Sequence, residues 1–461
     1  MNEAYDVIVV GAGPGGYVAA IRAGQLGLRT AVVERGEVGG VCLNWGCIPS
    51  KALLRNAEVV HLLHRGEEFG FAFDNLRLDF GKAIDRSRQV VQRLVKGVEF
   101  LLRKNKVDLV KGQGTFRDPL TVEVEPTGRV LRGRSVVIAT GARARALPVL
   151  PVDGKLVITS REALELKQLP ESCVIVGGGA TGCEFAYLYN AYGVKVTLVE
   201  LLPHLLPNED EEVSRELERA FKTQGITVLT GTEVTGFQKG EGRGRLTVKG
   251  AEGEQTLEAG LVLVAVGVVP NSDGIGLERA GVEVQRGWVG VDDYARTNVP
   301  NVYAIGDVTG KMLLAHVAMH QGVVAVEQVA GQEVKPLEYT AMPRAVYCHP
   351  QVTSLGLTEA QAREQGYEVK VGKFPFVANG KALALGERDG FVKVVADARY
   401  GELLGLHMVG PEVTELLAEG GLARLLEATT EELGFLVVSH PTLSEALKEA
   451  ALAALGEAIH I

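Results

Sequence analysis

Long hydrophobic runs are missing from this sequence. The longest, such as 261–269, fall far short of the ~20 apolar residues that a membrane-spanning helix requires. Positive charge is also short, since 48 Lys and Arg face 57 Asp and Glu for a net charge of −9. With no polybasic run, neither nucleic acid nor an anionic membrane is an expected partner. The first six residues carry acids and no basic flank before an apolar stretch at 7–10, so the plan of a secretory signal is lacking and a cytoplasmic location is expected. Cysteine is scarce as well, five in 461 residues, which argues against a scaffold held by structural disulfides. In a reducing compartment the disulfides that do form are usually transient and catalytic.

What is present is a repeated glycine pattern. Val7-Ile8-Val9-Val10 reads as a buried strand, and Gly11-Ala12-Gly13-Pro14-Gly15-Gly16 follows it, opening a helix over 17–27. Glycines at 11, 13 and 16 permit a tight turn, close approach of backbone to a pyrophosphate, and close helix packing. A strand at 30–33 ends in Glu34, an acid placed to accept hydrogen bonds from a ribose diol. One such motif is as consistent with an ordinary glycine-rich turn as with a dinucleotide site. Here it recurs: Val174-Ile175-Val176 leads into Gly177-Gly178-Gly179-Ala180-Thr181-Gly182, then a helix over 183–192 and a strand over 195–199 that ends at Glu200. Gly177 follows Gly11 by 166 residues, and Glu200 follows Glu34 by the same 166. Two coincidences in register indicate two Rossmann-type domains.

Two such domains imply two dinucleotides. A flavin passes electrons between thiols and a hydride acceptor, which nicotinamide alone does not. FAD is therefore expected at the first site and a nicotinamide at the second. Leu201-Leu202-Pro203-His204 offers no arginine to a 2′-phosphate, and Glu200 would repel one, which favours NAD over NADP.

Between the two motifs lies Gly39-Gly40-Val41-Cys42-Leu43-Asn44-Trp45-Gly46-Cys47-Ile48-Pro49-Ser50-Lys51, followed by a helical pattern at 52–63. Five steps of a regular helix span ~7.5 Å, whereas a disulfide tolerates Cα separations only up to about 7 Å. If Cys42 and Cys47 bond, the segment must be a distorted helix or a loop entering one, with Gly46 and Pro49 permitting the distortion. Their spacing alone leaves a redox pair and two inert buried thiols equally open. No further ligands complete a zinc site beside them. The neighbouring nucleotide motif favours the redox reading.

A chain of 461 residues suggests three or four domains. An amphipathic helix is expected over 82–106 with Ile84, Val91, Val95, Val98 and Leu102 inward, a strand over 109–114, and a buried strand over 135–140 ending at Gly141. Residues 261–266 read as a buried strand before Gly267, and 268–271 as a crossing back. The run from Tyr303 to Asp307 ends a strand in Gly-Asp, where ligands meet open parallel sheets, though a plain Gly-Asp turn is a rival. His316 and His320 have metal-compatible spacing without further ligands, so no metal is expected there, and His61 and His64 read as ordinary surface or packing residues. From about 341 shorter alternating strands and apolar helices indicate an α+β domain. Near its end His440 precedes a helix containing Glu445, spacing that suits either a base with its orienting acid or an incidental histidine before a helix.

Taken together, residues 39–51, the doubled glycine motifs, Tyr303 to Asp307 and His440 to Glu445 closely resemble the dihydrolipoamide dehydrogenase family of pyridine nucleotide–disulfide oxidoreductases, essentially end to end. The resemblance implies an α/β fold with an FAD-binding domain at 1–147, an NAD-binding domain at 148–270, a central segment at 271–340 completing the first, and a C-terminal α+β dimerisation domain at 341–461. It implies oxidation of a protein-bound dihydrolipoyl group with reduction of NAD, in a homodimer that serves lipoyl-bearing proteins of a multienzyme complex. Cys42 would exchange with substrate, Cys47 would face the flavin, and Lys51 would sit near the flavin and pair with Glu184. Gly11, Gly13, Gly16, Glu34, Gly40, Gly114, Gly141, Asp307 and Ala315 would contact FAD. Gly177, Gly179, Gly182, Glu200, Val234 and Gly267 would contact NAD. His440, oriented by Glu445, would be the acid–base residue, reaching the cysteines of the other subunit. Alternatives are a reductase of another disulfide and a non-catalytic structural subunit. The chain departs from the family pattern at Val438, at Met319-His320-Gln321-Gly322, and at Gln351.

Overall fold

A computed structural model describes residues 3–461 of the chain. Val7, Ile8, Val9 and Val10 are all buried, so the strand β1 (Glu3–Val10) stands inside a sheet covered on both faces, as an unbroken apolar run demands. The helix α1 (Pro14–Gln25) returns the chain to β2 (Thr30–Glu34), which pairs parallel to β1. Two helices, α2 (Gly40–Trp45) and α3 (Cys47–His64), come next, then α4 (Phe80–Lys104). Ile84, Val91, Val98 and Leu102 form the buried face of α4, as the periodicity requires.

The single strand expected over 109–114 is two: β3 (Asp108–Lys111) and β4 (Gln113–Asp118). Gly112 separates them at φ 142°, where a Cβ would lie 2.2 Å from the Glu125 carbonyl oxygen. With β5 (Thr121–Glu125) and β6 (Arg129–Ile138) the sheet order is β3-β2-β1-β6-β5-β4. The late strand Val302–Ala304 adds to β6 in parallel register, Tyr303 opposite Val137. A short ribbon pairs Val268–Pro270 with Ala142–Ala144, and Arg143 fixes it by donating to the carbonyl oxygen of Pro270 at 2.7 Å.

The second parallel sheet runs Thr227–Leu229, Lys195–Val199, Ser172–Val176, Leu261–Val264, Val157–Ile158. Beside it lies an antiparallel meander, Glu233–Lys239, Gly244–Gly250 and Gly253–Ala259, with no counterpart in the sequence reading. Its strands are mostly solvent-facing, with Val234, Phe237, Leu246, Val248 and Leu257 as scattered apolar positions turned to the core. The C-terminal part is a five-stranded antiparallel sheet packed against the helices Val413–Leu425 and Ser444–Leu455.

Compactness divides the chain into two units. One holds the residues through Ala52, Lys82–Arg145 and Gly267–Tyr339; the other holds Leu53–Gly81, Ala146–Val266 and Thr340–Ile461. Residues 53–81 group with the second unit. Side chains within the second unit supply the reason. Phe80 meets Tyr192 edge-on at 4.9 Å, and Lys393, only 3% exposed, joins Asp210 at 3.0 Å and Glu212 at 2.8 Å. Among the described residues no helix is long and apolar enough to cross a membrane.

Candidate active site

Cys42 and Cys47 form a disulfide with their Cα atoms 4.7 Å apart. A regular helix would hold them at ~7.5 Å, but the helix stops between them: α2 ends at Trp45, Gly46 takes φ −144° and ψ −115°, and α3 begins at Cys47. A Cβ on Gly46 would crowd the Val41 carbonyl oxygen at 3.1 Å and Cys42 Cα at 3.3 Å. Pro49, expected to share in the distortion, sits in the first turn of α3, where a missing N–H loses no helical bond and where a helix continued from α2 could not accommodate it.

Gly39 (φ 93°) and Gly40 (φ 57°) turn the chain into α2. A Cβ on Gly40 would come within 2.7 Å of Gly13 Cα, and the Gly39 N–H donates to Ala12 O at 2.8 Å. The disulfide is thus set against the first glycine loop. Buried Asn44 donates from Nδ2 to the carbonyls of Val38 (3.0 Å) and Gly40 (2.9 Å), while Arg88 on α4 donates to Asn44 O at 2.6 Å. Sequence reasoning passed over both residues, although a polar side chain between Leu43 and Trp45 was a usable signal. Cys42 and Cys47 are half-buried, whereas Cys173, Cys183 and Cys348 are buried. Burial pushes the Cys173 and Cys183 thiols up, away from the reactive thiolate.

The two glycine loops repeat one geometry. A Cβ on Gly11 would strike Ala139 O at 2.2 Å, and one on Gly16 would strike Gly11 O at 1.9 Å; the matching distances are 2.4 Å for Gly177 against Ala265 O and 1.8 Å for Gly182 against Gly177 O. The first and third glycines therefore serve the chain's own packing. The middle ones, Gly13 and Gly179, meet nothing within 4 Å, leaving room for a ligand against the backbone. Each acid closes its loop: Ala12 N–H donates to Glu34 Oε2 at 2.7 Å, and Gly178 N–H to Glu200 Oε2 at 2.5 Å.

Neither α1, nor the helix Ala180–Ala191, nor the helix Ala315–Val329 has a side-chain N-cap or an acid in its first turn. Five other helices are capped by Thr159, Asp210, Thr358, Asn379 and Thr429. Uncapped N-termini keep their N–H groups available to an anion such as pyrophosphate. Ala315 opens the third of these helices, which crosses α1 closely enough that a Cβ on Gly15 would lie 2.8 Å from Ala318 O.

Asp307 follows the strand Val302–Ala304 in a 3₁₀ turn. Burial pushes its carboxyl up to about 6, and no hydrogen bond to that carboxylate is found among the described residues. Such a group fits a ligand that donates hydrogen bonds. Just behind it, Gln321 is fully buried, accepting from Gly306 N–H at 2.7 Å and donating to the Tyr339 hydroxyl at 3.0 Å. A neutral amide can do both at once, which accounts for this departure from an acid. Gln351 likewise accepts from the Thr414 hydroxyl at 2.8 Å. Gly141 turns at φ 67° with open space where a Cβ would be, as does Gly267 at φ 94°. Gly114 is enclosed, since a Cβ would meet Val10 Cγ1 at 3.0 Å, so only its backbone is open to a ligand role. Val234 lies half-buried in the meander.

Lys51 stands one turn after Cys47 on α3, in the first unit. Glu184 belongs to the second, is 7% exposed, and accepts from Tyr347 N–H at 3.1 Å. His440, whose side chain is 79% exposed, holds Glu445 through Nδ1 and Oε1 at 2.8 Å, and Thr442 N–H donates to Glu445 Oε2 at 2.9 Å. Partial burial opposes ionisation of Glu445, yet these two partners hold its carboxyl below the usual range. The two side chains are therefore in hydrogen-bond contact.

The sequence pattern described as "Pyridine nucleotide-disulphide oxidoreductase" matches residues 5–322, and its dimerisation domain matches 342–451. The chain belongs to the pyridine nucleotide-disulphide oxidoreductase family. It is 48% identical to a dihydrolipoyl dehydrogenase of Zymomonas mobilis over the full length of both chains. It is 51% identical to one of Mycobacterium leprae over 99% of each. Among solved structures it resembles LpdA of Mycobacterium tuberculosis at 28% identity, with TM-score 0.89 over 97% of this chain and 99% of that one. It also resembles the HOCl-induced flavoprotein disulfide reductase RclA of Escherichia coli at 26% identity, with TM-score 0.86 over 97% and 99%. The chain is accordingly a flavoprotein disulfide oxidoreductase whose cofactors are FAD and NAD, and it carries a dimerisation domain.

Proposed function

We propose that this enzyme oxidises the dihydrolipoyl group carried by a partner protein to the cyclic disulfide and reduces NAD. The observation that carries the proposal is the half-buried Cys42–Cys47 disulfide held against the first glycine loop. A dithiol substrate loses a proton to the imidazole of His440, which Glu445 orients, and the resulting thiolate attacks Cys42 Sγ. The Cys42–Cys47 bond breaks, Cys47 leaves as thiolate, and a mixed disulfide joins substrate to Cys42. The second substrate thiol then attacks its own bound sulfur, releasing oxidised lipoyl and Cys42 thiol, so one disulfide has been exchanged for another. Bound FAD supplies the route by which the two electrons of the dithiol reach NAD.

In this reading Gly11, Gly13, Gly16, Glu34, Gly40, Gly114, Gly141, Asp307 and Ala315 hold FAD. Gly177, Gly179, Gly182, Glu200, Val234 and Gly267 hold NAD, and Lys51 pairs with Glu184 beside the flavin. Residues 1–147 and 271–340 make the FAD domain, 148–270 the NAD domain and 341–461 the interface of a homodimer. His440 of one subunit serves the cysteines of the other, and the assembly works in the cytoplasm with a lipoyl-bearing protein. The test is formation of NADH from dihydrolipoamide by the purified holoenzyme. Absence of NADH alongside brisk reduction of another disulfide at the expense of NADPH would reject the proposal.

A further inference from the structure

In the second unit, away from both glycine loops in sequence, two histidines and a carboxylate converge. His61 lies on α3, His349 precedes Pro350, and Glu387 follows the short helix Gly380–Ala384. One ligand atom from each lies within 4.8 Å of the others. His349 Nε2 and Glu387 Oε2 are 3.2 Å apart, and the two imidazole rings have centroids 4.7 Å apart. Zinc bonds of ~2.0–2.1 Å place tetrahedral ligand atoms about 3.3 Å apart. One edge of such a site is therefore already in place, with the His61 ring nitrogen within 4.8 Å of both other ligand atoms.

The outer contacts are those a metal ligand needs. Glu387 Oε1 accepts from Arg65 Nη1 at 2.7 Å, which fixes the carboxylate and leaves Oε2 turned to His349. Arg65 is itself neutralised by Glu68 and anchored on Gly386 O at 2.8 Å. Gln224 Nε2 donates to His349 O at 2.8 Å, fixing the backbone of that ligand. Held second contacts of this kind orient the ligands of metal centres. The Tyr187 ring packs 5.6 Å from the His349 ring, and its buried hydroxyl has no hydrogen-bond partner among the described residues. His61 is the fifteenth residue of the helix that Cys47 begins, about 21 Å along its axis, so this is not the redox centre.

We propose that His61, His349 and Glu387 bind one zinc ion per chain, with a water in the fourth position. Two imidazoles and one carboxylate are a zinc ligand set that leaves one position open. Occupation ties the far end of the redox helix to the C-terminal sheet through His349 and Glu387.

The test uses oxidised holoenzyme, whose disulfide keeps Cys42 and Cys47 out of the competition for metal. Calorimetric titration with zinc sulfate after chelator dialysis is expected to give one site per chain. His61→Ala and Glu387→Gln should each weaken it at least tenfold, while His64→Ala and His316→Ala leave it unchanged. Retained flavin absorbance and circular dichroism show that each variant is folded. Zinc-edge X-ray absorption on the unaltered protein should show nitrogen and oxygen ligands only. No binding, sulfur in the coordination sphere, or full affinity in the His61→Ala and His349→Ala double variant would overturn the proposal.

Discussion

Asp307 offers a prediction with two opposed readouts. Burial raises its carboxyl from 3.8 to about 6. A carboxyl whose pKa is higher in the folded chain costs stability that grows as pH rises from the unfolded to the folded pKa and is complete above the latter. Two units at 1.36 kcal/mol each set a ceiling of about 3 kcal/mol at pH 7.5. Asp307→Asn removes the charge but keeps a buried polar group costing ~1 kcal/mol, leaving a gain of about 2 kcal/mol. At roughly 2–4 °C per kcal/mol for a unit of this size, the flavin-free variant should melt about 4–8 °C higher than the parent at pH 7.5, and no higher near pH 4. Flavin binding should move the other way. Losing a charge-assisted hydrogen bond worth ~1.5–3 kcal/mol weakens binding about 10- to 150-fold. Thermal unfolding of flavin-free protein across pH and fluorescence titration with FAD provide the two measurements. A variant with unchanged FAD affinity, or with the same melting shift at both pH values, would refute a role for Asp307 as an acceptor for the cofactor.

Cys47→Ser should abolish the long-wavelength absorbance that a thiolate lends to bound flavin in the two-electron-reduced enzyme; persistence there and loss in Cys42→Ser would reverse the two thiol assignments. Replacing Glu200 by Gln together with Leu201→Arg should shift kcat/KM from NAD toward NADP, and a parent enzyme equally active with both would remove the ribose role of Glu200. Subunit exchange between Cys42→Ser and His440→Ala dimers should restore activity by creating one intact site, and proven heterodimers without activity would place His440 with its own chain's cysteines. Lys393→Met leaves buried Asp210 without a cationic partner, while Glu212 keeps Lys373 and Glu359 keeps Arg363, and should cost about 3–5 kcal/mol near neutrality. Burial opposes but Lys373 and Lys393 hold the Glu212 carboxyl down at about 2, so its contribution is complete above its ordinary pKa and fades as pH falls from ~4.5 toward 2. The variant should therefore show a flatter acid limb in urea unfolding, and an unaltered limb would count against the pairing.

The doubled glycine loops were legible because Gly11, Gly16, Gly177 and Gly182 answer to backbone contacts under 2.5 Å, a demand that only one residue type meets. The break at Gly46 was legible for a similar reason, from the distance limit on a disulfide. Pro49 fits the same break, since its ring would clash with the Trp45 carbonyl in an uninterrupted helix. The meander over 233–259 escaped since its outward strands alternate weakly, and the division of β3 from β4 hinged on Gly112, between Lys111 and Gln113. The regrouping of 53–81 could not be read at all. It depends on rings and charges that meet across more than a hundred residues, such as Phe80 on Tyr189 and Arg65 on Glu387. His440 and Glu445 were visible as a pair, but nothing in five residues of spacing distinguishes a 2.8 Å contact from none.

The central claim is that Cys42 and Cys47 carry the electrons between a dithiol and NAD. It is tested most directly by anaerobic addition of dihydrolipoamide to the oxidised holoenzyme, followed by alkylation and peptide mapping. Cys42 and Cys47 should become labelled while Cys173, Cys183 and Cys348 stay protected, and NAD added before the alkylating agent should abolish the labelling. Labelling that dihydrolipoamide does not raise, or that NAD does not reverse, would contradict the account.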